Sequence, residues 1–332
     1  MVNKFFDLHC DAGNNYTRDI QFLTSGIRGV SKYAYDFSSQ YTENDLFCVD
    51  YPSMKEVNVS ASLFFIHVPL NYDGHSLHHL LDISESIRKN IETKNSNISI
   101  VENLAAYSTC INKGKMAIII GVENSDVFCR NLNIIHALYR YGIRVCTLAW
   151  YGRNCVCDAG HESNEGLSWF GKQAVKLMKE LGMLIDISHL NTKGIYDVLD
   201  ITLGQGVFAT HSNCFNLCKT ARNLNDDIMK KISEIKSCMG ITFVPHLLNE
   251  SGIANIEDVG RHIHHAVEVM NIDSVAIGTD YDGHNGRVTG LERINKIGKL
   301  KEYLSCKGFS EEDINKIFFS NADNFLKKNL HI

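Results

Sequence analysis

Residues 168–189 read SWFGKQAVKLMKELGMLIDISH, and this stretch contains one complete helix–strand repeat. Ser168 is a favoured helix N-cap, apolar side chains then recur at helical spacing, and Gly182 is suited to end the helix. The following run, Met183–Ile187, is short and mostly apolar, which is typical of a strand covered on both faces in a parallel sheet. His189 is the second residue after this run. The repeat therefore predicts an α/β unit with a polar, reactive side chain at the carboxyl end of its strand.

The same alternation extends over the whole chain, where segments of helical periodicity separate short apolar runs. The predicted strands are Lys4–Leu8, Val59–Ile66, Lys115–Gly121, Ile143–Leu148, Met183–Ile187, Gly206–Ala209, Cys238–Val244 and Ser274–Ile277. Eight strands alternating with helices in 332 residues favour a (β/α)8 TIM barrel over an open doubly wound sheet. We therefore expect a single barrel domain over residues 1–332, with an irregular insertion around residues 17–57 and a C-terminal helix around residues 310–328.

The composition excludes several classes of protein. With 44% hydrophobic residues and a formal net charge of −5, the chain is not disordered, and 33 Lys+Arg against 38 Asp+Glu leave no basic footprint for nucleic acid. No apolar run approaches the roughly 18 residues of a membrane span, and the N-terminus does not have the layout of an export signal. The eleven cysteines include no Cys-x-x-Cys pair, which favours reduced thiols. We expect a cytoplasmic protein with neither nucleic-acid nor membrane partners.

Histidines and acidic residues stand at the ends of five predicted strands. They are His9, Asp11, Glu123, His189, His211 and Asp280. The carboxyl ends of barrel strands form one mouth, so these side chains are expected to converge there. Three imidazoles and two carboxylates, one of which can bridge, are a suitable ligand set for two divalent ions, and the nitrogen ligands favour zinc. Such ions, about 3.5–4 Å apart, activate a bridging water while a nearby carboxylate moves its proton.

Seven short motifs lie in order along the chain: Asp7-Leu8-His9-Cys10-Asp11, Gly121-Val122-Glu123, Gly166-Leu167-Ser168-x-Phe170-Gly171, Leu184-Ile185-Asp186-Ile187-Ser188-His189, Thr210-His211-Ser212-Asn213, Ala221-Arg222-Asn223-Leu224 and Gly278-Thr279-Asp280-Tyr281-Asp282-Gly283. As a series they resemble the membrane dipeptidase (renal dipeptidase) family of zinc metallopeptidases, in particular its bacterial-type members. Each motif is weak by itself, but together they span residues 7–283. The resemblance implies an amidohydrolase-like barrel of the metal-dependent hydrolase type, with two Zn²⁺ per chain. It also implies hydrolysis of dipeptides by a metal-bridging hydroxide, and it allows a homodimer.

The resemblance assigns the metal ligands residue by residue. It implies that His9 and Asp11 bind one zinc ion. It implies that His189 and His211 bind the other, and that Glu123 bridges the two.

The resemblance also assigns catalytic and substrate-binding roles. Besides Glu123, the predicted catalytic residue is Asp280, which would accept a proton from the bridging water and pass it to the departing amine. Asp282 is the competing choice for this role. Arg222 would hold the terminal carboxylate of the substrate through its planar guanidinium, a geometry that suits Arg better than Lys. Asn223, in the same motif, is expected to bind substrate beside it.

One position departs from the family pattern. The best-known members end the fourth strand with a histidine that stabilises the oxyanion, whereas this chain has Trp150 there. An indole N–H donates a hydrogen bond but cannot take a charge. Either Trp150 gives the oxyanion a weaker hydrogen bond, or polarisation by the metal ions stabilises the oxyanion without it. We expect Trp150 to bind substrate, and its presence leaves the substrate preference and the rate open. His67 and His246, which lie near strand ends, are further candidates for pocket lining.

Three alternatives stay open. The first is another amidohydrolase-type enzyme, such as a lactonase or a deaminase, because many such barrels begin with His-x-Asp. Many of these relatives use a carbamylated lysine as the bridge, where this chain has Glu123, and Lys113 and Lys115 lie only at the start of that strand. The second is a non-catalytic metal-binding barrel. The third is a set of ordinary hydrogen-bonded residues at strand ends.

Overall fold

A computed structural model describes residues 4–13, 47–68, 75–94, 96–160 and 165–330. Of the insertion predicted around residues 17–57, residues 17–46 lie outside the described residues. The described remainder contains a short helix, Tyr51–Glu56, whose N-cap is Asp50.

The described residues form a parallel sheet that curves into a barrel. Its strands are β1 (Phe5–Cys10), β2 (Val59–His67), β3 (Ile98–Ile100), β4 (Met116–Glu123), β5 (Val145–Thr147), β6 (Leu184–Asp186), β7 (Val207–Ser212), β8 (Met239–Ile241) and β9 (Val275–Ile277). The ring order is β1-β2-β4-β5-β6-β7-β8-β9, and β3 pairs with β4 off this path. The ring closes where Asp280 N donates to the His9 carbonyl and Asp11 N donates to the Tyr281 carbonyl, each at 2.9 Å. The predicted (β/α)8 barrel is therefore confirmed, and β3 is an addition that the sequence did not predict.

Helices follow the strands and cover the outside of the ring. They are α1 (Tyr51–Glu56), α2 (Ser76–Lys94), α3 (Leu104–Asn112), α4 (Leu132–Tyr141), α5 (Trp169–Leu181), α6 (Thr192–Thr202), α7 (Asp226–Glu234), α8 (Pro245–Leu248), α9 (Ile256–Met270), α10 (Gly298–Cys306), α11 (Glu311–Asn315) and α12 (Asn321–Asn329). Ser168 caps α5 by accepting from Gly171 N, and Gly182 ends it with φ of 76°. Where one C-terminal helix was expected, a π-helical turn, Lys316–Ser320, joins α11 to α12. None of the helices in the described ranges is long and apolar enough to cross a lipid bilayer.

Alternate residues of each strand supply two apolar layers. On β2, Leu63 and Phe65 belong to the layer inside the barrel, while Phe64 and Ile66 pack against the outer helices. At the amino-terminal end of the barrel, Phe325 of α12 stacks on Phe208 of β7 with ring centroids 4.5 Å apart. This end is filled by apolar side chains, so the polar strand ends gather at the opposite mouth.

The barrel packs so closely at Gly278 that no side chain fits there. A Cβ atom on Gly278 would overlap the carbonyl oxygen of Thr210. We expect Gly278→Ala to lower the free energy of unfolding by about 1–3 kcal/mol, the usual cost of overpacking, in urea denaturation. Gly298→Ala is the matched control, because a Cβ there has open space. Equal stability of the two variants would contradict this description of the packing.

Candidate metal centre

Three histidines direct their Nε2 atoms towards one carboxylate at the barrel mouth. Oε1 of Glu123, the last residue of β4, lies 3.1 Å from His189 Nε2, 3.6 Å from His211 Nε2 and 3.8 Å from His9 Nε2. His9 Nε2 is also 3.3 Å from Asp11 Oδ2. The structure thus brings together all five residues that the sequence analysis singled out as metal ligands, from four different strands or strand ends.

The chemistry of this donor set fits divalent metal ions. One group of potential ligand atoms within 4.8 Å of one another comes from Glu123, His189 and His211, and another comes from His9, Asp11 and Asp280. His9 Nε2 is fully buried and has no hydrogen-bond partner among the described residues. A buried nitrogen lone pair facing carboxylates is a ligand for a cation, and nitrogen-rich sets favour zinc.

Burial favours the neutral, metal-binding form of two of these imidazoles, those of His189 and His211. It lowers the pKa of His189 to about 4, with the nearby Arg222 charge adding to the effect. Burial also lowers the pKa of His211 well below its ordinary value, and His9 and Arg222 contribute. Glu123 behaves differently. Burial alone would raise its pKa, but hydrogen bonds with His189 and His67 outweigh that and hold the pKa well below its ordinary value.

Two residues of the site adopt backbone conformations that favour glycine. His189 has φ of 70° and Asp280 has φ of 60°. Such conformations cost free energy and persist where the surroundings enforce them, often at functional sites. Gly283 completes this crowded region, because a Cβ there would overlap the carboxylates of Asp280 and Asp11. The backbone at Gly283 is therefore packed directly against the carboxylates of Asp280 and Asp11.

Asp280 and Asp282 have different surroundings, although they are two residues apart. Asp280 groups with His9 and Asp11, and burial raises its pKa well above the ordinary value, with the Asp11 and Glu123 charges adding to the rise. Asp282 Oδ1 instead accepts a hydrogen bond of 2.6 Å from Cys48 N, which attaches the chain before α1 to this loop. Burial raises the pKa of Asp282 to about 6. Asp280 is thus the carboxyl group nearer the candidate metal ligands.

Arg222 is a buried cation beside the histidines. Its Nη2 donates to the His211 carbonyl at 2.7 Å and its Nη1 donates to Ser212 Oγ at 3.1 Å. Its other N–H groups have no protein acceptor among the described residues. A buried guanidinium with donors to spare is suited to a carboxylate ligand. The neighbouring Asn223 uses its amide nitrogen on the carbonyls of Cys218 and Leu247, so its role towards a substrate stays a prediction.

The structure gives His67 a closer place in the site than the sequence suggested. His67 Nδ1 lies 3.2 Å from Glu123 Oε2, and its ring meets Trp150 edge-on with centroids 4.2 Å apart. The parallel register of β2 and β4, which pairs His67 with Glu123, produces this contact. The available sequence signal was that His67 directly follows a predicted apolar strand. Its contact with Glu123 depends on the pairing register of β2 and β4, which exists only in the folded sheet. Thr210 and Asp186 stand in two of the motifs, but the sequence assigned no role to their buried side chains, which also contact this site.

The closed parallel ring and the histidine–carboxylate cluster at its mouth define a (β/α)8 barrel with a candidate metal centre. The chain belongs to the membrane dipeptidase family (peptidase family M19), whose family model matches residues 3–329. The family inferred from the motifs is therefore confirmed.

Individual relatives agree with this assignment. The chain is 29% identical over 219 residues to dipeptidase tcpJ of Claviceps purpurea, a match that covers 65% of this chain and 51% of the relative, so the chain spans about half of that protein's length. A crystal structure of a metallopeptidase from Rhodobacter sphaeroides, with a phosphinate mimic of L-Ala-D-Ala, has a TM-score of 0.87 at 20% identity and covers 99% of this chain and 100% of its own. An amidohydrolase from Pseudomonas aeruginosa has a TM-score of 0.78 at 18% identity, covering 99% and 97% respectively. These structures share the fold.

Proposed function

We propose that this chain is a zinc-dependent dipeptidase, which holds two Zn²⁺ ions and hydrolyses the peptide bond of dipeptides. The observation that carries the proposal is the convergence of three Nε2 atoms on Glu123, near the half-buried Asp280 and the buried Arg222. Family membership supports it, as do a relative named as a dipeptidase and a neighbour bound to a dipeptide mimic.

The proposed ligands divide into two sets that share one carboxylate. His9 and Asp11 would hold one ion together with Glu123. His189 and His211 would hold the other, also together with Glu123. Bound divalent ions would supply a water of lowered pKa and polarise the carbonyl of the scissile peptide.

Asp280 is the proposed proton carrier. Its carboxyl lies with His9 and Asp11, and burial keeps its proton affinity high. It can therefore accept the proton that the attacking water loses and donate the same proton to the amine that leaves. Asp280 would thus return to its starting protonation state at the end of the reaction. Asp282 is less suited to this role because its carboxylate accepts from Cys48 N.

Arg222 is the proposed anchor for the terminal carboxylate of the dipeptide. We expect Arg222→Lys to raise KM by roughly 10- to 100-fold with little change in kcat, because a charge-assisted bidentate contact of about 1.5–3 kcal/mol is lost. Steady-state kinetics on one dipeptide checks this result. Arg261→Lys, at a solvent-exposed arginine paired with Asp258, is the matched control. An unchanged KM in Arg222→Lys would rule out the anchor.

Removal of the metal is expected to abolish activity and to lower the melting temperature. Dialysis against a chelator would leave the clustered imidazoles and carboxylates without a cation between them. A ligand that binds only the folded state stabilises it, and free zinc at 100 times its dissociation constant adds about 2.7 kcal/mol to the free energy of unfolding. Differential scanning calorimetry with and without zinc measures the shift. Activity that survives in protein free of metal would refute a metal-dependent reaction.

The function itself is tested by metal analysis and kinetics on one sample. We expect about two zinc ions per chain, cleavage of some dipeptides, and no cleavage of longer peptides. The panel includes L-Ala-D-Ala and other pairs with a D-residue second, together with a lactone as a substrate of the alternative class. A zinc-replete sample that hydrolyses no dipeptide would overturn the proposal, and hydrolysis of the lactone alone would favour the alternative.

We propose that the protein is cytoplasmic. All eleven cysteines are free in the structure, which supports the predicted cytoplasmic location. The homodimer stays a prediction, which light scattering on the purified protein tests.

A further inference from the structure

One buried hydroxyl joins two of the candidate metal-binding histidines. Thr210, on β7, is fully buried, and its Oγ1 lies 2.9 Å from His9 Nδ1 and 2.8 Å from His211 Nδ1. The same oxygen lies 2.6 Å from Asp186 Oδ2, and a much longer contact of 3.5 Å separates it from Ser188 Oγ. A threonine hydroxyl has one proton and two lone pairs, so it can donate one hydrogen bond and accept two. Once the group that receives the proton is known, the direction of all three short hydrogen bonds is fixed.

Asp186 identifies that acceptor. Its Oδ1 accepts from Ser188 N and Thr210 N, each at 2.9 Å. Its Oδ2 accepts from Thr147 Oγ1 and Thr210 Oγ1, each at 2.6 Å. These four bonds fill the acceptor positions of the carboxylate group, two on each oxygen. The single hydroxyl proton of Thr210 therefore goes to Asp186.

The two imidazoles must then donate to Thr210. Since its proton is engaged, Thr210 Oγ1 offers only lone pairs, and both His9 and His211 carry their hydrogen on Nδ1. In that tautomer the lone pair is on Nε2. These Nε2 atoms lie 3.8 Å and 3.6 Å from Glu123 Oε1, where the candidate metal ions would bind.

The backbone holds Thr210 in place. A Cβ on either Gly240 or Gly278 would overlap the carbonyl oxygen of Thr210, so β8 and the residue after β9 approach it as closely as glycine permits. The backbone of Thr210 therefore has little freedom to move away from the two rings.

We propose that Thr210, oriented by Asp186, is a positioning residue that sets the tautomer of one histidine in each metal site and so couples the two sites through a single hydroxyl. Partners of this kind, which contact ligands and not the metal, commonly change metal affinity by about 10- to 100-fold when they are removed. The inference deepens the proposed function and rests on its metal centre, but it does not depend on which substrate is cleaved.

The test compares Thr210→Val, which removes the hydroxyl at nearly constant volume, with Thr210→Ser, which keeps it. Thr202→Val is the matched control, since Thr202 is also fully buried and donates to the Val198 carbonyl within α6. Zinc affinity is measured by competition with a chromophoric chelator. We expect about 10- to 100-fold weaker zinc binding at both sites in Thr210→Val, and binding like that of wild type in Thr210→Ser and Thr202→Val.

A second readout reports the tautomers directly. Long-range ¹H–¹⁵N correlation spectra of the full chain labelled with ¹⁵N-histidine, zinc-loaded and metal-free, should show the hydrogen of His9 and His211 on Nδ1 in wild type and in Thr210→Ser. In metal-free Thr210→Val this preference should be lost.

Several results would overturn the proposal. A hydrogen on Nε2 of either ring in the metal-free wild type would do so even if Thr210→Val failed to fold. If Thr210→Val weakened zinc binding at one site only, the hydroxyl would not couple the two sites. If Thr202→Val weakened zinc binding by the same factor, Thr210 would have only a packing role. A chain that binds zinc as expected but cleaves no dipeptide would refute the proposed function and leave this inference intact.

Discussion

Glu123→Gln is expected to reduce the zinc content from two ions per chain to one or none and to lower kcat/KM by about 10,000-fold, the order seen when a member of a catalytic unit is removed. The carboxylate of Glu123 faces His9, His189 and His211 together. Glutamine has the same size but carries one carbonyl oxygen and no charge, so it cannot bridge two cations.

The measurement is metal analysis by mass spectrometry with steady-state kinetics on the same preparation. Glu85→Gln is the matched control, because Glu85 is exposed on α2 and accepts from Tyr141 OH. This control should retain both zinc ions and full activity. If Glu123→Gln bound two zinc ions and kept its activity, Glu123 would not be the bridge.

Asp280→Asn is expected to lower kcat by about 100- to 10,000-fold, the usual contribution of a general acid–base group. An amide can neither accept the proton of the water nor return it to the amine. Because Asp280 is not among the proposed ligands, the zinc content should stay at two ions per chain and KM should change little. Retained zinc with a lowered kcat would distinguish Asp280→Asn from Glu123→Gln, in which zinc and activity are lost together.

Asp282→Asn is the informative comparison for the proton carrier. Its carboxylate accepts from Cys48 N, so its replacement should disturb the adjoining loop and reduce kcat by less than about tenfold. A large loss in Asp282→Asn with a small loss in Asp280→Asn would transfer the role to Asp282.

Much of the fold could be predicted from local sequence. The cap at Ser168, the glycine at the end of α5 and the short apolar runs act within a few residues, and the structure has them where they were expected. The addition of β3 at Ile98–Ile100 was harder to predict because three residues carry too little periodicity. The π-helical turn before α12 likewise depends on packing against the barrel and not on spacing in the sequence.

The sequence predicted which residues lie at the site, but not how their side chains are oriented. A parallel barrel brings strand ends together whatever the chain distance, which is why His9 and His211 could be expected to meet. Their orientation was not predictable, since it depends on the Thr210 hydroxyl, which joins His9 across 201 residues. The contact of His67 with Glu123 depends in the same way on the register between β2 and β4.

The central claim is that Glu123 lies between two zinc ions. Anomalous diffraction at the zinc edge, from crystals of the zinc-loaded protein, tests it most directly. We expect two peaks at the barrel mouth, one bounded by His9, Asp11 and Glu123 and the other by His189, His211 and Glu123. A single peak, or peaks away from Glu123, would contradict it.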